Sequence, residues 1–204
     1  MNLHAPDYRR VIRHEFTQEA FERFIYFERS YLNVGGVAPG TDPGINYAIT
    51  FADDHHSVAI TYRDDAVAGL TWVQVTFLLA DHPAAQATFD HAVQRIQERV
   101  PTYTRDELMA FARSASVSDR VFTVFATAIG APWTFDAAAH QDLQAAATDP
   151  SPEVRAAAVT ATGYLGQTEY LPLLDDLASD EDAAVRERAT DMQARFASAL
   201  QASL

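Results

Sequence analysis

Apolar residues near the start of the chain recur at helical spacing. Beginning at Thr17, the positions of Phe21, Phe24 and Ile25 follow intervals of three and four, which predicts an amphipathic helix capped by Thr17. A second apolar stripe of the same period runs through residues 83–96, where Pro83 suits the first turn of a helix. These two patterns predict two helices, each with one buried face.

Between these helices the period of the pattern falls to two. Residues 45–51, 58–62 and 70–79 alternate large apolar side chains with smaller or polar ones, which is typical of half-buried strands. The preceding segment, 33–44, holds four Gly and two Pro and predicts a loop. We therefore predict a small α-β-β-β-α domain over residues 1–100, with a three-stranded antiparallel sheet.

The remainder of the chain, residues 101–204, is rich in Ala and contains an internal repeat. The pattern Asp-x4-Val-Arg-x2-Ala places Asp149 six residues before Arg155, and it recurs with Asp180 and Arg186 after 31 residues. Apolar residues precede each copy, as expected at the end of a helix. This periodicity predicts stacked helix pairs.

The six-residue spacing between Asp and Arg has a physical reason. An Asp at the start of a helix accepts from unpaired backbone N–H groups, and an Arg one turn later can reach the Asp of a neighbouring repeat. An earlier, weaker copy places Ser114 six residues before Arg120. We predict a ladder of Asp–Arg pairs that fixes the stacking of the repeats.

These motifs resemble HEAT repeats, in particular the short HEAT-like type first described in bilin-lyase subunits. The resemblance covers about residues 104–204 and implies an α-solenoid of about three antiparallel helix pairs, with the second helices lining a concave surface. It implies structural, non-catalytic roles for Asp149, Arg155, Asp180 and Arg186. The fold class predicted for the whole chain is α+β, with the N-terminal domain capping the all-α HEAT-like solenoid.

Charge and composition narrow the possible functions. The chain has 204 residues with 28 acidic and 15 basic ones, a net charge of -13, and it contains no Lys and no Cys. Lysine nucleophiles, thiolates and disulfides are thereby excluded. The negative charge disfavours nucleic acid and anionic lipid as partners. Because no apolar run predicts a signal peptide or a membrane span, we expect a cytoplasmic protein.

One cluster of ionisable residues raises the question of a metal site. Asp53, Asp54, His55 and His56 carry carboxylates and imidazoles, which are ligands for divalent ions. Neighbouring side chains in a turn point in different directions, however, and turns favour Asp for backbone reasons. We predict an ordinary hairpin turn at this position, and no metal or cofactor.

Four residues near the repeat edges are candidates for contact with a partner. Aromatic side chains on solenoid surfaces are common hot spots, and we expect Tyr164 and Tyr170 to be partly exposed. The acidic residues that follow, Asp175 and Asp176, add negative charge to the same region. These residues predict an acidic surface that binds a basic protein partner.

The hypothesis is a non-catalytic adaptor that binds proteins through its acidic HEAT-like surface. The chain has no Gly-x-Ser-x-Gly or His-Glu-x-x-His motif, and its Gly-rich loop lacks the phosphate-binding spacing. An immunity protein or a secretion chaperone is the alternative, since the small acidic α-β-β-β-α unit resembles such proteins. A bilin lyase-like enzyme subunit, by analogy with HEAT-like lyases, is a further alternative.

Overall fold

A computed structural model describes residues 7–32, 34–40 and 44–202 of the chain. The chain divides into two compact units, Met1–Thr104 and Arg105–Leu204. The first unit combines strands and helices, and the second contains only helices among its described elements. This arrangement is the predicted α+β fold class.

The described residues of the first unit form five strands and two helices. In chain order they are β1 (Asp7–Val11), α1 (Gln18–Leu32), β2 (Val34–Gly40), β3 (Ile45–Asp53), β4 (Val58–Asp65), β5 (Leu70–Phe77) and α2 (Ala85–Arg99). The strands form one antiparallel sheet in the order β1-β5-β4-β3-β2.

The core of this unit lies between the two helices and one face of the sheet. Phe51 pairs with Ile60 and Ile60 with Val75 in neighbouring strands, so alternation places all three on the same face. Phe21 of α1 and Ile96 of α2 are fully buried in the same apolar cluster. The strand and helix patterns of the sequence therefore converge on a single core.

The sheet has two more strands than the sequence predicted. The first, β2, lies within the segment predicted as a loop, 33–44, of which residues 33 and 41–43 are outside the described residues. Both additional strands, β1 and β2, are edge strands, where Pro39 is tolerated because one side of the strand needs no N–H donors. The Gly and Pro residues of β2 weakened the pattern that predicts a strand, but they did not prevent β2 from pairing at the edge of the sheet.

Within residues 105–202, the part of the second unit that the structure describes, the helices form three pairs. They are α3 (Arg105–Ala112) with α4 (Val117–Gly130), α5 (Ala137–Ala147) with α6 (Pro152–Leu165), and α7 (Leu171–Leu177) with α8 (Ala183–Ala202). A 3-10 turn, Thr168–Tyr170, precedes α7. None of the described helices combines the length and apolar character needed to cross a membrane.

Helix α6 is the centre of this unit, with α4 and α8 packed on either side of it. Its residues Ala157, Ala158 and Ala161 are buried, and their small side chains permit close approach of the neighbouring helices. The helix ends at Gly166, whose left-handed φ of 65° suits a residue without a Cβ atom. Each first helix packs against the second helix of its own pair, α3 on α4, α5 on α6 and α7 on α8.

Candidate functional site

The Asp and Arg residues of the internal repeat pair across successive helix pairs. Arg155 of α6 donates from Nε and Nη2 to the two carboxylate oxygens of Asp180, at 2.7 and 2.9 Å. Arg120 of α4 makes the same two contacts with Asp149, at 2.9 and 3.1 Å. Each arginine thus binds bidentately to the aspartate of the following repeat.

The third guanidinium nitrogen of each arginine binds the start of its own helix. Arg155 Nη1 donates to the carbonyls of Asp149 and Pro150, at 2.9 and 3.2 Å. The equivalent contacts are 3.2 Å each for Arg120 and 2.6 and 2.9 Å for Arg186. The Arg155 side chain, like that of Arg120, therefore binds carbonyl groups of the turn before its own helix and the carboxylate of the next repeat.

The paired aspartates have acidic pKa values below the ordinary range. The hydrogen bonds from Arg155 lower the pKa of Asp180 and outweigh its burial. Burial acts to raise the pKa of Asp149, but the hydrogen bonds from Arg120 and from the Ser151 amide outweigh it, so the net shift is also downward. Both carboxylates are ionised in the folded state near neutral pH.

Acidification is therefore expected to destabilise the helical unit. With a folded-state pKa below the unfolded-state value, Asp149 and Asp180 contribute stability at higher pH that is lost as the pH falls through the lowered pKa. Urea midpoints followed by Trp133 fluorescence in a Trp72→Phe background should decline across this acidic range. The decline should be shallower in Asp180→Asn, and an unchanged slope in that variant would contradict the assignment.

A groove of 350 Å³ opens between α5 and α7. Its lining comes from both helices, from the turns that follow them and from the 3-10 turn, and consists of His140, Gln144, Ala147, Thr148, Glu169, Pro172, Leu173, Asp176, Leu177 and Asp180. Three of these side chains are carboxylates and none is an arginine. Leu173 and Leu177 are buried and provide an apolar floor.

The structure separates the residues predicted to contact a partner. Asp176 is exposed and lines the groove, whereas Asp175 accepts a hydrogen bond from Gln193 of α8 at 2.6 Å. Tyr164 is partly exposed and packs edge-on against Phe125, with 6.0 Å between ring centroids. Of these residues, only Asp176 is part of the groove.

The prediction that Tyr170 is partly exposed is wrong. Its side chain is 0% exposed, because the 3-10 turn before α7 directs the ring inward against Phe135 and His140, at centroid distances of 6.1 and 5.3 Å. Burial raises the pKa of Tyr170 to about 12. The exposed aromatic side chains nearby are instead Phe135 and Trp133.

Asp53, the first residue of the hairpin cluster considered as a metal site, binds the backbone and a side chain of its own hairpin. The Asp53 carboxylate is buried and accepts from Ser57 N, Ser57 Oγ and Val58 N at 2.6, 2.8 and 2.8 Å. His55 stacks on His82, with 4.8 Å between ring centroids. Within the part of the chain that the structure describes, no three potential ligands gather into a metal site.

Four polar residues of the groove were not predicted from the sequence, namely His140, Gln144, Thr148 and Glu169. They come from α5, from the residue that follows it and from the 3-10 turn, and their proximity to Asp176 is created by the packing of α5 beside α7. No motif links them along the chain. The repeat resemblance implied a concave surface lined by the second helices, whereas this groove lies between the first helices α5 and α7.

The comparisons with known proteins agree with this repeat architecture. Residues 141–203 match the family model for HEAT repeats, a segment that begins in α5 and includes α6 to α8. The chain matches no curated protein and no solved structure. HEAT repeats commonly mediate protein–protein interaction. The C-terminal part of this chain is a HEAT-like repeat segment.

Proposed function

We propose that this protein is a non-catalytic adaptor that binds a basic segment of a partner protein in its acidic HEAT-like groove. The observation that carries the proposal is the composition of that groove, in which carboxylates surround an apolar floor. Glu169 and Asp176 are exposed at its rim, and Leu173 and Leu177 lie beneath them.

The chemistry of the groove suits an arginine or lysine side chain. Such a side chain has an apolar stem, which covers hydrophobic surface, and a charged head that stays near solvent or a carboxylate. Asp180 already binds Arg155, so Glu169 and Asp176 are the carboxylates that remain for an incoming cation. A volume of 350 Å³ accommodates a small part of a partner, such as one long side chain with its backbone.

The charge of the helical unit supports the same partner. Residues 101–204 carry 15 acidic residues against 7 arginines, and several of these arginines are engaged within the ladder. Excess negative charge attracts basic partners over distances comparable to the Debye length, about 8 Å at physiological ionic strength. Binding through this surface should therefore weaken as salt is added.

Peptide binding tests this function directly. Labelled full-length protein is applied to an array of basic peptides, each printed beside a copy in which arginine is replaced by citrulline, a neutral side chain of the same shape. We expect retention on arginine peptides, loss on their citrulline copies and about ten-fold weaker binding by Asp176→Asn, because a charge-assisted hydrogen bond is removed.

The matched control for this experiment is Asp106→Asn. Asp106 is an exposed acid in the first turn of α3, so this change removes the same charge outside the groove. The control should bind like the unmodified protein. If both variants lost the same binding affinity, the effect would come from net charge and not from the groove. Equal retention of arginine and citrulline peptides would refute the proposed function.

A further inference from the structure

One end of the acidic groove lies beside an exposed aromatic ring. Phe135, in the turn between α4 and α5, packs against His140, which lines the groove, with 5.4 Å between the ring centroids. Its contacts with His140 and Tyr170 are tilted, at 54° and 49° between the ring planes, so neither neighbour stacks flat on the ring. Phe135 is 44% exposed, and part of its ring is therefore open to a further group.

The turn that carries Phe135 is held in place by hydrogen bonds on both sides of the ring. Asp136, the N-cap of α5, accepts from two backbone amides of the first helical turn, at 2.8 and 3.0 Å. Gln167, just before the 3-10 turn, donates from Nε2 to the carbonyl of Trp133 at 2.6 Å. The ring is thus positioned before a ligand arrives, which lowers the entropic cost of binding.

The electrostatic surroundings of this ring favour a cation. Glu169 is exposed in the 3-10 turn and lines the groove together with His140. Burial is the main cause that raises the pKa of Tyr170, and the negative charges of Asp136 and Glu169 add to it, so both carboxylates act at the ring that Phe135 contacts. The face of an aromatic ring also carries partial negative charge, so ring and carboxylates attract the same kind of group.

A buried polar atom at this end of the groove lacks a hydrogen-bond partner among the described residues. It is Nδ1 of His140. Buried polar atoms are nearly always hydrogen-bonded, so an unpartnered one in a residue that lines a groove indicates a ligand that supplies a donor. Nδ1 of a neutral imidazole accepts such a bond when the ring proton is on Nε2.

We propose that this end of the groove recognises an arginine side chain of the basic partner. The guanidinium plane lies against the exposed Phe135 ring, and its N–H groups donate to the Glu169 carboxylate and to Nδ1 of His140. The inference rests on the proposed function and narrows it, from any basic segment to one that carries arginine. The groove then prefers arginine to lysine.

Arginine fits these groups better than lysine for geometric reasons. A guanidinium is planar and weakly hydrated, so it stacks on an aromatic face while the donors in its plane bind other acceptors. Its five N–H groups serve the Glu169 carboxylate and a second acceptor together. A lysine ammonium is a strongly hydrated point charge with no plane to stack. An apolar side chain would cover Phe135 but bring no charge to Glu169.

Two peptides of equal charge test this preference. Labelled hexaarginine and hexalysine are titrated with the full-length protein, and binding is followed by fluorescence anisotropy. We expect hexaarginine to bind about five-fold more tightly, because stacking on Phe135 is added to the same charge attraction. Phe135→Leu should weaken hexaarginine binding by about five-fold and hexalysine binding by less than about two-fold.

Matched variants separate the ring face from packing and from general hydrophobicity. Replacement of Phe135 by pentafluorophenylalanine keeps the shape of the ring and reverses the charge of its face, so it should remove the arginine preference while the turn stays packed. Phe27→Leu makes the same substitution at an exposed phenylalanine of α1, in the other unit, and should leave both affinities unchanged.

Asp176→Asn distinguishes the arginine site from the groove as a whole. This change removes a carboxylate of the groove outside the arginine contact, so it should weaken both peptides alike and leave the ratio of their affinities unchanged. Equal affinities of the two peptides for the unmodified protein, or an arginine preference that persists in the Phe135 variants, overturns the arginine site. A shared Asp176→Asn effect would then still support the proposed function. If neither peptide binds, the proposed function and the arginine site are both refuted.

Discussion

Replacement of Asp180 by alanine is expected to lower the free energy of unfolding of the helical unit by about 3–5 kcal/mol, the range found when one partner of a buried ion pair is removed. The side chains of Arg155 and Asp180 are only 8% and 7% exposed. The substitution leaves the Arg155 guanidinium buried without its carboxylate. It also deprives the Asp182 amide of its acceptor.

The two tryptophans allow this loss to be measured in the correct unit. Trp72 lies in the first unit and Trp133 in the second, so a Trp72→Phe background leaves one fluorophore that reports the helical unit. Trp72 Nε1 is buried without a hydrogen-bond partner, so phenylalanine at that position orphans no acceptor. Urea unfolding followed at Trp133 should show a lower midpoint for Asp180→Ala.

Two other aspartates are controls for this experiment. Asp149→Ala should give a smaller loss, because the side chains of Arg120 and Asp149 are 18% and 13% exposed and water can replace part of the pair. Asp175→Ala removes an exposed carboxylate and its hydrogen bond from Gln193, and should lower the free energy of unfolding by at most about 1 kcal/mol. Equal losses at all three positions would contradict a role for burial.

Much of the ladder was predictable because its residues recur at a fixed spacing along the sequence. The spacing of Asp149 and Arg155, repeated at Asp180 and Arg186, indicated that an arginine reaches a neighbouring aspartate. The incomplete copy at Arg120 was visible for the same reason. Because the same motif recurs at a fixed period, the same contact forms between successive repeats. The sequence therefore predicts this tertiary contact.

The edge strands were not predictable in the same way. The β2 segment, Val34–Gly40, contains glycines and a proline, which disfavour the prediction of a strand, yet its backbone pairs with β3. The short β1 strand contains two adjacent arginines and lies at the other edge of the sheet. Edge strands of this kind form by pairing with a neighbouring strand, and the sequence pattern does not indicate which strand that is.

The groove was predictable only in outline. Asp176 was identified from its charge, but the approach of Glu169 and His140 depends on how α5 and α7 lie beside one another. The distance between α5 and α7 depends on the lengths of the turns and on the side chains packed between the helices. The repeat pattern does not determine this distance. The sequence therefore indicated an acidic surface but not the cavity that Glu169, His140 and Asp176 line.

Tyr170 provides the second prediction of large effect, through a pair of substitutions that separate its ring from its hydroxyl group. Tyr170→Ala is expected to lower the free energy of unfolding by about 3–5 kcal/mol, since it removes a fully buried ring that packs against Phe135 and His140. Tyr170→Phe is expected to be neutral or to raise stability by about 1 kcal/mol. Trp133 fluorescence during urea unfolding measures both changes.

The expected gain from Tyr170→Phe arises because the hydroxyl group is buried without a hydrogen-bond partner. A polar group in that state has lost its contacts with water without replacing them, and its removal relieves the penalty. A hot-spot tyrosine on a binding surface would behave in the opposite way, with stability unaffected by truncation and partner binding reduced. If Tyr170→Phe lowered the free energy of unfolding as much as Tyr170→Ala, the hydroxyl group would have an essential hydrogen-bond partner. That result would contradict a role for Tyr170 in apolar packing alone.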